Sequence, residues 1–337
     1  MVDKVLPLGK LPIELLESLL NAMSIHDPDL LVGPRIGEDA AVVKVGEHRL
    51  IFKTDPITFL SEDLAWYLIT VNANDIACMG GTPRFLLTTV LLPQGTTEDA
   101  VAALFADLRK ASATMDVTLI GGHTEITYGI DRVIAIGFMI GYLDGPVIGA
   151  SGAKPGDAIL ISKAIPLEAT SILARQLPER LALEKDSLRQ ARDLIFTPGI
   201  SVVREARIAA ALGATAMHDP TEGGLATGLK ELARASGCGL EVDASAIPVL
   251  PTAASILPGL GIDPLGAIAS GTLIACCPPE KAAPILDAWQ AAGIRGSLIG
   301  RMTAPGGLRM HKNGSVMPLP EFDRDELARF MEQAHSG

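Results

Sequence analysis

The sequence predicts a two-domain protein of the α/β class. Apolar strand-like segments alternate with helical segments along most of the 337 residues. A stretch rich in Gly, Pro and Ser, LDGPVIGASGAKPGD at 143–157, separates two strong strands and marks the domain seam. The length also suits two domains of ordinary size. We therefore expect an N-terminal domain over residues 1–148 and a C-terminal domain over residues 149–337.

The N-terminal half is predicted to contain three helices and five strands. Apolar positions recur at helical spacing over residues 12–22, and Gly80, Gly81 and Pro83 end the apolar helix predicted for residues 64–79. The adjacent glycines at 121–122 predict a strand end at which the backbone approaches a ligand. The third helix covers residues 97–115, and the strands cover residues 40–45, 49–54, 84–92, 117–122 and 132–143.

The C-terminal half continues the alternation after the seam. Two helical stretches follow the first strand, and apolar spacing at Leu327, Phe330 and Met331 predicts a docked helix near the end. No internal repeat is visible. Strands are predicted at residues 158–162, 214–219, 239–243, 272–277 and 295–302, with further helices at 222–236 and 280–293.

Composition excludes several classes of protein. The chain is 48% hydrophobic and 20% charged, so it can bury a large interior, yet no run approaches the ~18–20 apolar residues of a membrane span. A net charge of −11 without a basic run argues against binding to nucleic acid. The first residues show no apolar signal region, which predicts a cytoplasmic protein. The four cysteines form no CxxC pair, so we expect reduced, mostly buried thiols.

Polar residues recur where the predicted apolar elements of the first half end. Oxygen ligands from several such ends suit Mg²⁺, which binds through a few carboxylates together with substrate phosphates. With Mg²⁺ between them, acidic residues become a site for a nucleotide. Each residue has a structural alternative, such as a turn former, a helix cap or a polar patch between helices. The segments are GEDAA with Asp39, FKTDP with Asp55, NAND with Asn72, Asn74 and Asp75, and GGHTE with His123 and Thr124.

Asn72 and Asp75 lie three residues apart on a predicted helix and therefore share a face. The predicted metal ligands are Asp39, Asp55, Asn72 and Asp75, and Asp55, Asn72 and Asn74 are also expected to bind the nucleotide. His123 and Asp219 are the candidate catalytic residues, and His123 and Thr124 are expected to contact phosphate.

The second half adds the segment HDPTEGGL. Asp219 ends a predicted strand, and Thr221 is expected to cap the next helix, where Gly223 and Gly224 let backbone N–H groups approach an anion. The alternative is a well-capped helix with a glycine-rich first turn.

Thr221, Gly223 and Gly224 are also expected to bind the nucleotide, and two lysines complete the predicted nucleotide site. Lys163 at a strand end either meets a phosphate or is solvated, and Lys10 either reaches over a triphosphate or stays exposed. Neither a GxxxxGK[ST] loop nor a GxGxxG after a strand is present, so a nucleotide would need another scaffold.

The ordered set GEDAAVV, KTD, NANDIACMGGTP, GGHTE, KPGDAILIS and HDPTEGGL resembles the aminoimidazole ribonucleotide (AIR) synthetase superfamily, and is most similar to its hydrogenase-maturation carbamoyl dehydratase (HypE-like) branch. The resemblance covers nearly the whole chain. It implies an N-terminal domain that pairs with its twin in a homodimer, ATP sites beside the shared barrel, and a C-terminal domain that closes the cleft. Asp219 with Gly223 and Gly224 would line the acceptor side.

Three features depart from the branch. Glu222 stands where the branch has Arg, His123 stands where it has a carboxylate, and the tail MEQAHSG lacks the cysteine that carries the group being dehydrated.

From the resemblance we expect an ATP- and Mg²⁺-dependent enzyme that phosphorylates a carbonyl-type oxygen on a small-molecule acceptor. The alternatives are a kinase of the thiamine-monophosphate kinase type, which stops at phosphoryl transfer, and a non-catalytic nucleotide-binding assembly factor.

Overall fold

The structure is a computed structural model that describes residues 6, 9–23, 25–58 and 62–336, the last three without their side chains. Part of the leader used for the cytoplasmic prediction, and the side chains at the end of the tail, therefore lie outside the described residues. The chain forms two compact units. Residues 27–33 and 39–147 form the N unit, and the described residues before 27, residues 34–38 and residues from 148 onward form the C unit. The early helix thus groups with the C unit, and the functional division at 148 stays a prediction.

The N unit consists of a six-stranded sheet and two helices. The strand order is β1-β2-β3-β6-β4-β5, in which β4 and β5 are parallel and the other neighbours are antiparallel. The strands are β1 (Leu30–Val32), β2 (Ala41–Val45), β3 (His48–Ile57), β4 (Thr82–Pro93), β5 (Thr118–Thr127) and β6 (Ile134–Tyr142), and the helices are α2 (Leu64–Cys78) and α3 (Glu98–Thr114).

The C unit is built on a seven-stranded sheet of order β13-β12-β9-β11-β7-β10-β8. Its strands are β7 (Ala158–Ser162), β8 (Ala216–His218), β9 (Gly239–Asp243), β10 (Ile274–Cys277), β11 (Gly296–Thr303), β12 (Leu308–Lys312) and β13 (Ser315–Pro318). Its helices are α1 (Ile13–Asn21), α4 (Leu167–Gln176), α5 (Lys185–Arg192), α6 (Val203–Leu212), α7 (Gly224–Ser236), α8 (Pro251–Leu260), α9 (Pro279–Ala291) and α10 (Glu326–Ser336).

Helix α2 is the central element of the N unit. It is apolar around most of its circumference, which is the pattern of a helix buried on all sides. It packs against β3, β4 and β6 on one side and against α3 on the other, and every residue except Trp66 and Val71 is buried. The helix ends before Gly80, which has φ +82°. Its polar side chains are therefore held inside the unit.

Two strands are longer than the sequence predicts. β3 continues to Ile57 because it stays paired with β6 to that point, so Asp55 lies inside the strand and not after its end. β5 continues to Thr127 beside β4, so the segment GGHTE is also part of a strand. The prediction of strand ends at these two places was wrong.

Gly121 and Gly122 lie inside β5 and do not mark a strand end, and the predicted approach of this backbone to a ligand stays a prediction. β5 contains a bulge just before them, and a side chain at Gly122 would clash with the backbone of Thr88 on β4. The glycine is therefore required for close contact between two neighbouring strands.

The docked helix near the C-terminus is confirmed. In α10, Leu327 and Phe330 are buried and Met331 is half-buried, while Ala328 and Glu332 are exposed. Each of the four cysteines is a free thiol, with Cys78, Cys276 and Cys277 buried, as the sequence predicts. Among the described residues, no helix has the length and apolar character needed to cross a membrane.

Candidate functional site

Three charged side chains meet on the helix-covered face of the N-unit sheet. The ammonium group of Lys53 lies 3.3 Å from Oδ2 of Asp55 and 3.3 Å from Oδ2 of Asp75. Lys53 and Asp55 alternate along β3 and therefore point to the same face, which α2 covers with Asp75. The side chains of Asp55, Lys53 and Asp75 are 30%, 19% and 7% exposed, so the group is partly shielded and open on one side. We call these three residues the acidic pair and its lysine.

Asn72 fixes the backbone that carries this group. Its Oδ1 accepts a hydrogen bond from the backbone N–H of Asp55 at 3.0 Å, and its Nδ2 donates to the carbonyl of Leu68 at 2.8 Å. The side chain is fully buried, so these bonds satisfy polar atoms that would otherwise be costly. The geometry gives Asn72 the role of tying α2 to β3, and its predicted role as a metal ligand stays a prediction.

A glycine on β6 makes room for that amide. A Cβ built at Gly137 would lie 2.5 Å from Nδ2 of Asn72, which is closer than real Cβ contacts. Gly137 also stands opposite Asp55 in the register of β3 and β6. The sequence reasoning missed this residue, although a glycine inside an apolar strand is a usable signal of close backbone approach.

The other polar residues predicted around the metal occupy different positions in the N unit. Asp39 is buried just before β2, two residues beyond the last pair of β2 and β3. It therefore lies at the same end of the sheet as Asp55. Asn74 is fully buried on α2, but two residues along a helix amount to about 200°, so it does not share the face of Asn72.

The acidic pair fits a divalent cation. Two carboxylate oxygens from different elements already converge on a single positive charge, the ammonium of Lys53. Carboxylate oxygens are the donors that Mg²⁺ prefers, and the open side leaves room for water or phosphate as further ligands. Asp55 and Asp75 would therefore hold Mg²⁺.

His123 and Thr124 are not brought to the acidic pair within one N unit. Asp55 stands opposite Gly137 on β6, and Gly122 lies on β5 two strands further along the same row. Three strand spacings place β5 about 14 Å from β3. His123 is exposed on this edge strand, where its Nε2 lies 3.2 Å from Oε2 of Glu125.

In the C unit, the start of α7 differs from the predicted cap. Thr221 does not cap the helix: the N-cap is Gly223, in the left-handed region at φ +78°. The backbone N–H of Gly223 donates to a carboxylate oxygen of Asp325 at 2.8 Å, and that of Gly224 donates to the carbonyl of Thr221 at 3.0 Å. The anion at this helix start is thus a side chain of the protein itself. Asp219 is buried just after β8, as predicted.

Lys10 lies against the same segment. Its ammonium donates to Oγ1 of Thr221 at 3.0 Å and lies 3.1 Å from Oε2 of Glu222. Burial acts to raise the pKa of Glu222, yet the Lys10 charge and hydrogen bonds to the carboxylate hold that pKa below its ordinary value. Lys10 and Thr221, both predicted to bind the nucleotide, are therefore in direct contact.

Lys163 matches neither of the two alternatives that the sequence left open. Its ammonium is buried, 2.6 Å from Oε1 of Glu205, and donates to the carbonyl of Ser201 at 2.6 Å. Burial lowers the pKa of Lys163, and the Glu205 carboxylate opposes that shift. The geometry makes Lys163 part of an internal ion pair, so a phosphate contact would require the side chain to leave it.

Two buried titratable side chains of the C unit, Glu168 and His218, were not predicted from the sequence. Glu168, at the start of α4, is 4% exposed, and burial raises the pKa of its carboxyl to about 8, with Glu222 and Asp325 adding to the shift. His218 is paired with Glu231 at 3.0 Å. Glu168 and His218 each follow an apolar segment, and the sequence around them gives no sign, apart from their polarity, that they are buried titratable groups.

Comparison with known proteins identifies the family. Residues 37–143 match the model of the N-terminal domain of AIR synthase related proteins, and residues 154–313 match that of the C-terminal domain. The carbamoyl dehydratase HypE of Azotobacter vinelandii is 31% identical over 279 residues, which cover 79% of each chain. The chain belongs to the AIR synthase-related superfamily. Within it, the chain lies in the HypE-like branch.

Solved structures of the superfamily share the fold. The crystal structure of a hydrogenase maturation protein HypE is 25% identical and superposes with a TM-score of 0.73, covering 90% of this chain and 97% of that one. A HypE structure in complex with ATP is 24% identical, with a TM-score of 0.68 over 94% of this chain and 91% of that one. The two-domain AIR synthase-like fold predicted from the sequence is confirmed.

Proposed function

We propose that this protein is an ATP- and Mg²⁺-dependent enzyme that phosphorylates a carbonyl-type oxygen on a small-molecule acceptor. The observation that carries the proposal is the convergence of Asp55 and Asp75 on one positive charge in a chain of the AIR synthase-related superfamily. The HypE with bound ATP supports the choice of nucleotide. The predicted cytoplasmic location stays a prediction.

In the proposed reaction, the site acts mainly by neutralising the negative charge of the nucleotide phosphates. Mg²⁺ bound there would offset the charge of the phosphates and of the leaving diphosphate. Asp55 on β3 and Asp75 on α2 would hold the metal, while Asn72 holds the β3 backbone in place. The acceptor oxygen attacks the γ-phosphorus as the bond to ADP breaks. The C–O bond of the phosphorylated acceptor then breaks with release of phosphate, through attack by an amine or through elimination.

A homodimer is part of the proposal. Large apolar side chains of the sheet, including Ile120, Phe138 and Tyr142, are exposed on the N unit, whose helices α2 and α3 pack on the sheet. A second copy of the same sheet is the cover that the superfamily resemblance implies. The roles of His123 as a catalyst and of Thr124 in phosphate binding stay predictions.

Phosphate release tests the function. The purified protein is incubated with ATP and Mg²⁺ and a panel of small amides, thioamides, carbamoyl compounds and amines, and phosphate and products are measured. We expect ATP turnover that depends on one class of acceptor. Accumulation of a phosphorylated acceptor would favour the kinase alternative, and tight ATP binding without turnover on any acceptor would favour the assembly factor.

The variant Asp75→Asn tests the site. It keeps the shape of the side chain and removes one negative charge from the set of groups around the metal. We therefore expect MgATP to bind at least about tenfold more weakly by calorimetry. Asp107→Asn, the same change at an exposed position on α3, is the matched control and should bind as the unaltered protein does. Unchanged affinity in a normally folded Asp75→Asn protein would remove Asp75 from the site.

A further inference from the structure

Lys53 occupies the position in which the proposed metal would bind. Its ammonium is the positive charge on which the oxygens of Asp55 and Asp75 converge, each at 3.3 Å. A divalent cation held by the same two oxygens would be in repulsive contact with this ammonium, because two cations cannot share one pair of carboxylates at such distances. One positive group must leave before the other can bind.

The side chain of Lys53 can leave without disturbing the fold. Lysine carries its charge on a flexible four-carbon chain with three rotatable N–H donors, in contrast to the rigid fork of arginine. Asp55, the more exposed partner, marks the open side of the group. The backbone of β3 is held separately, by its pairing with β6 and by the hydrogen bond from Asp55 to Asn72. The ammonium can therefore move toward the open side while the acidic pair stays in place.

The charges favour a particular ligand. Asp55, Asp75 and Lys53 together carry a net charge of about −1, and a bound divalent cation changes this to about +1. Without the lysine the same site with its metal would be neutral. A positive site with a mobile ammonium attracts a polyphosphate, and phosphate oxygens are suitable acceptors for the N–H donors that have left the carboxylates.

We propose that Lys53 makes the site selective for a metal–nucleotide complex over the free metal. In the absence of ligand, its ammonium holds the acidic pair and competes with free divalent cations. When metal and triphosphate bind together, the metal replaces the ammonium between the two carboxylates, and the ammonium binds a phosphate oxygen. Lys53 thereby couples two binding events that a pair of carboxylates alone would leave independent. This inference has two halves. The metal half, that Lys53 competes with free divalent cations, rests on the geometry of the acidic pair, and the nucleotide half, that Lys53 binds a phosphate oxygen, rests on the proposed function.

The variant Lys53→Met separates the two halves because it is expected to change them in opposite directions. Binding of Mn²⁺ alone, followed by the electron paramagnetic resonance signal of the free ion, should tighten by about fivefold or more once the competing charge is gone. Binding of a non-hydrolysable ATP analogue with Mg²⁺, measured by calorimetry, should weaken by about tenfold. The control Lys44→Met alters an exposed lysine of β2 and should change neither.

A purely structural role for Lys53 gives a different result. If the lysine does no more than neutralise the buried Asp75 and the half-buried Asp55, Lys53→Met lowers stability and weakens or leaves unchanged both kinds of binding, which overturns the proposal. Lys53→Gln, which keeps hydrogen bonding without charge, provides the same two measurements if Lys53→Met does not fold. If the unaltered protein binds no nucleotide, the proposed function fails and the nucleotide half falls with it. The Mn²⁺ titration still decides the metal half.

Discussion

Single side chains in this protein are held by charges that come from distant parts of the sequence. A buried carboxylate raises the free energy of the folded state unless a cation or a hydrogen-bond donor satisfies it. Lys53 does this for Asp75, which lies 22 positions away on another element. The same arrangement keeps Asp55 and Asp75 close together despite their like charge, which the proposed metal site requires.

The sequence revealed some of these residues and not others, for a physical reason. Asn72 and Asp75 were recognised because polar residues are costly inside an apolar helix and therefore need an explanation. Lys53 was not recognised, because a lysine in a strand usually lies in solvent and its contact with Asp75 depends on how α2 packs on β3. Glu168 was missed for the same reason.

The buried carboxyl of Glu168 is expected to make the stability of the protein depend on pH. Burial raises the pKa of this carboxyl from its ordinary value of 4.5 to about 8. Between these two values the unfolded state loses a proton that the folded state keeps, which favours unfolding as the pH rises. The contribution of Glu168 to stability is therefore complete below pH 4.5 and is lost as the pH rises to about 8. The contribution of Glu168 should fall by up to about 1.4 kcal/mol per pH unit within this window.

Urea unfolding of Glu168→Gln at pH 5 and at pH 8.5 checks this expectation. A glutamine does not ionise, so the variant should lose less stability between the two pH values than the unaltered protein does. Glu179→Gln, which alters an exposed glutamate of the same unit, should retain the full pH dependence. Equal pH dependence in the Glu168→Gln and unaltered proteins would show that this carboxyl is ionised in the folded state.

At the scale of elements, the contact of α2 with β6 depends on the absence of a side chain at Gly137. A methyl group there would meet the amide of Asn72 at 2.5 Å, so Gly137→Ala must push α2 away or break the bond between Asn72 and Asp55. We expect the free energy of unfolding to fall by about 1–3 kcal/mol, the usual cost of overpacking. MgATP should also bind more weakly, because Asp55 moves.

The control for this change is Gly145→Ala in the same unit. A Cβ at Gly145 has no neighbouring atom within 4 Å, so chemical denaturation should show almost no effect. If Gly137→Ala were as stable as Gly145→Ala and bound MgATP normally, the packing of α2 on β6 would not position the site.

Elements were predicted well where burial gives a periodic pattern and less well where hydrogen bonding alone extends them. The apolar segments that became α2, β4 and β6 were found from the sequence. β3 and β5 run several residues beyond their apolar segments, because pairing with β6 and β4 continues through polar residues. The short strands β1, β12 and β13 lack a strong pattern and were not predicted.

At the scale of the whole molecule, helices α2 and α3 cover one face of the N-unit sheet, and the other face is apolar and has no helix over it among the described residues of the unit. Phe52 stacks on Phe138 at 5.9 Å, and Phe85 meets Tyr142 edge to face at 6.2 Å. These aromatic pairs alternate along the strands with the residues that face α2. Because an apolar face of this size in water is unfavourable, it is a candidate interface between two copies.

The last prediction is that the protein is a homodimer formed through this aromatic face. Light scattering at micromolar concentration should give about 70 kDa, twice the 35.2 kDa of one chain. Phe138→Asp places a charge in the centre of the face, where desolvation would be costly, and should yield a folded protein of half that mass with weaker nucleotide binding. Val316→Asp, at an exposed position on β13, should stay dimeric. A mass of one chain for the unaltered protein, or a dimer that persists in Phe138→Asp, would contradict this interface.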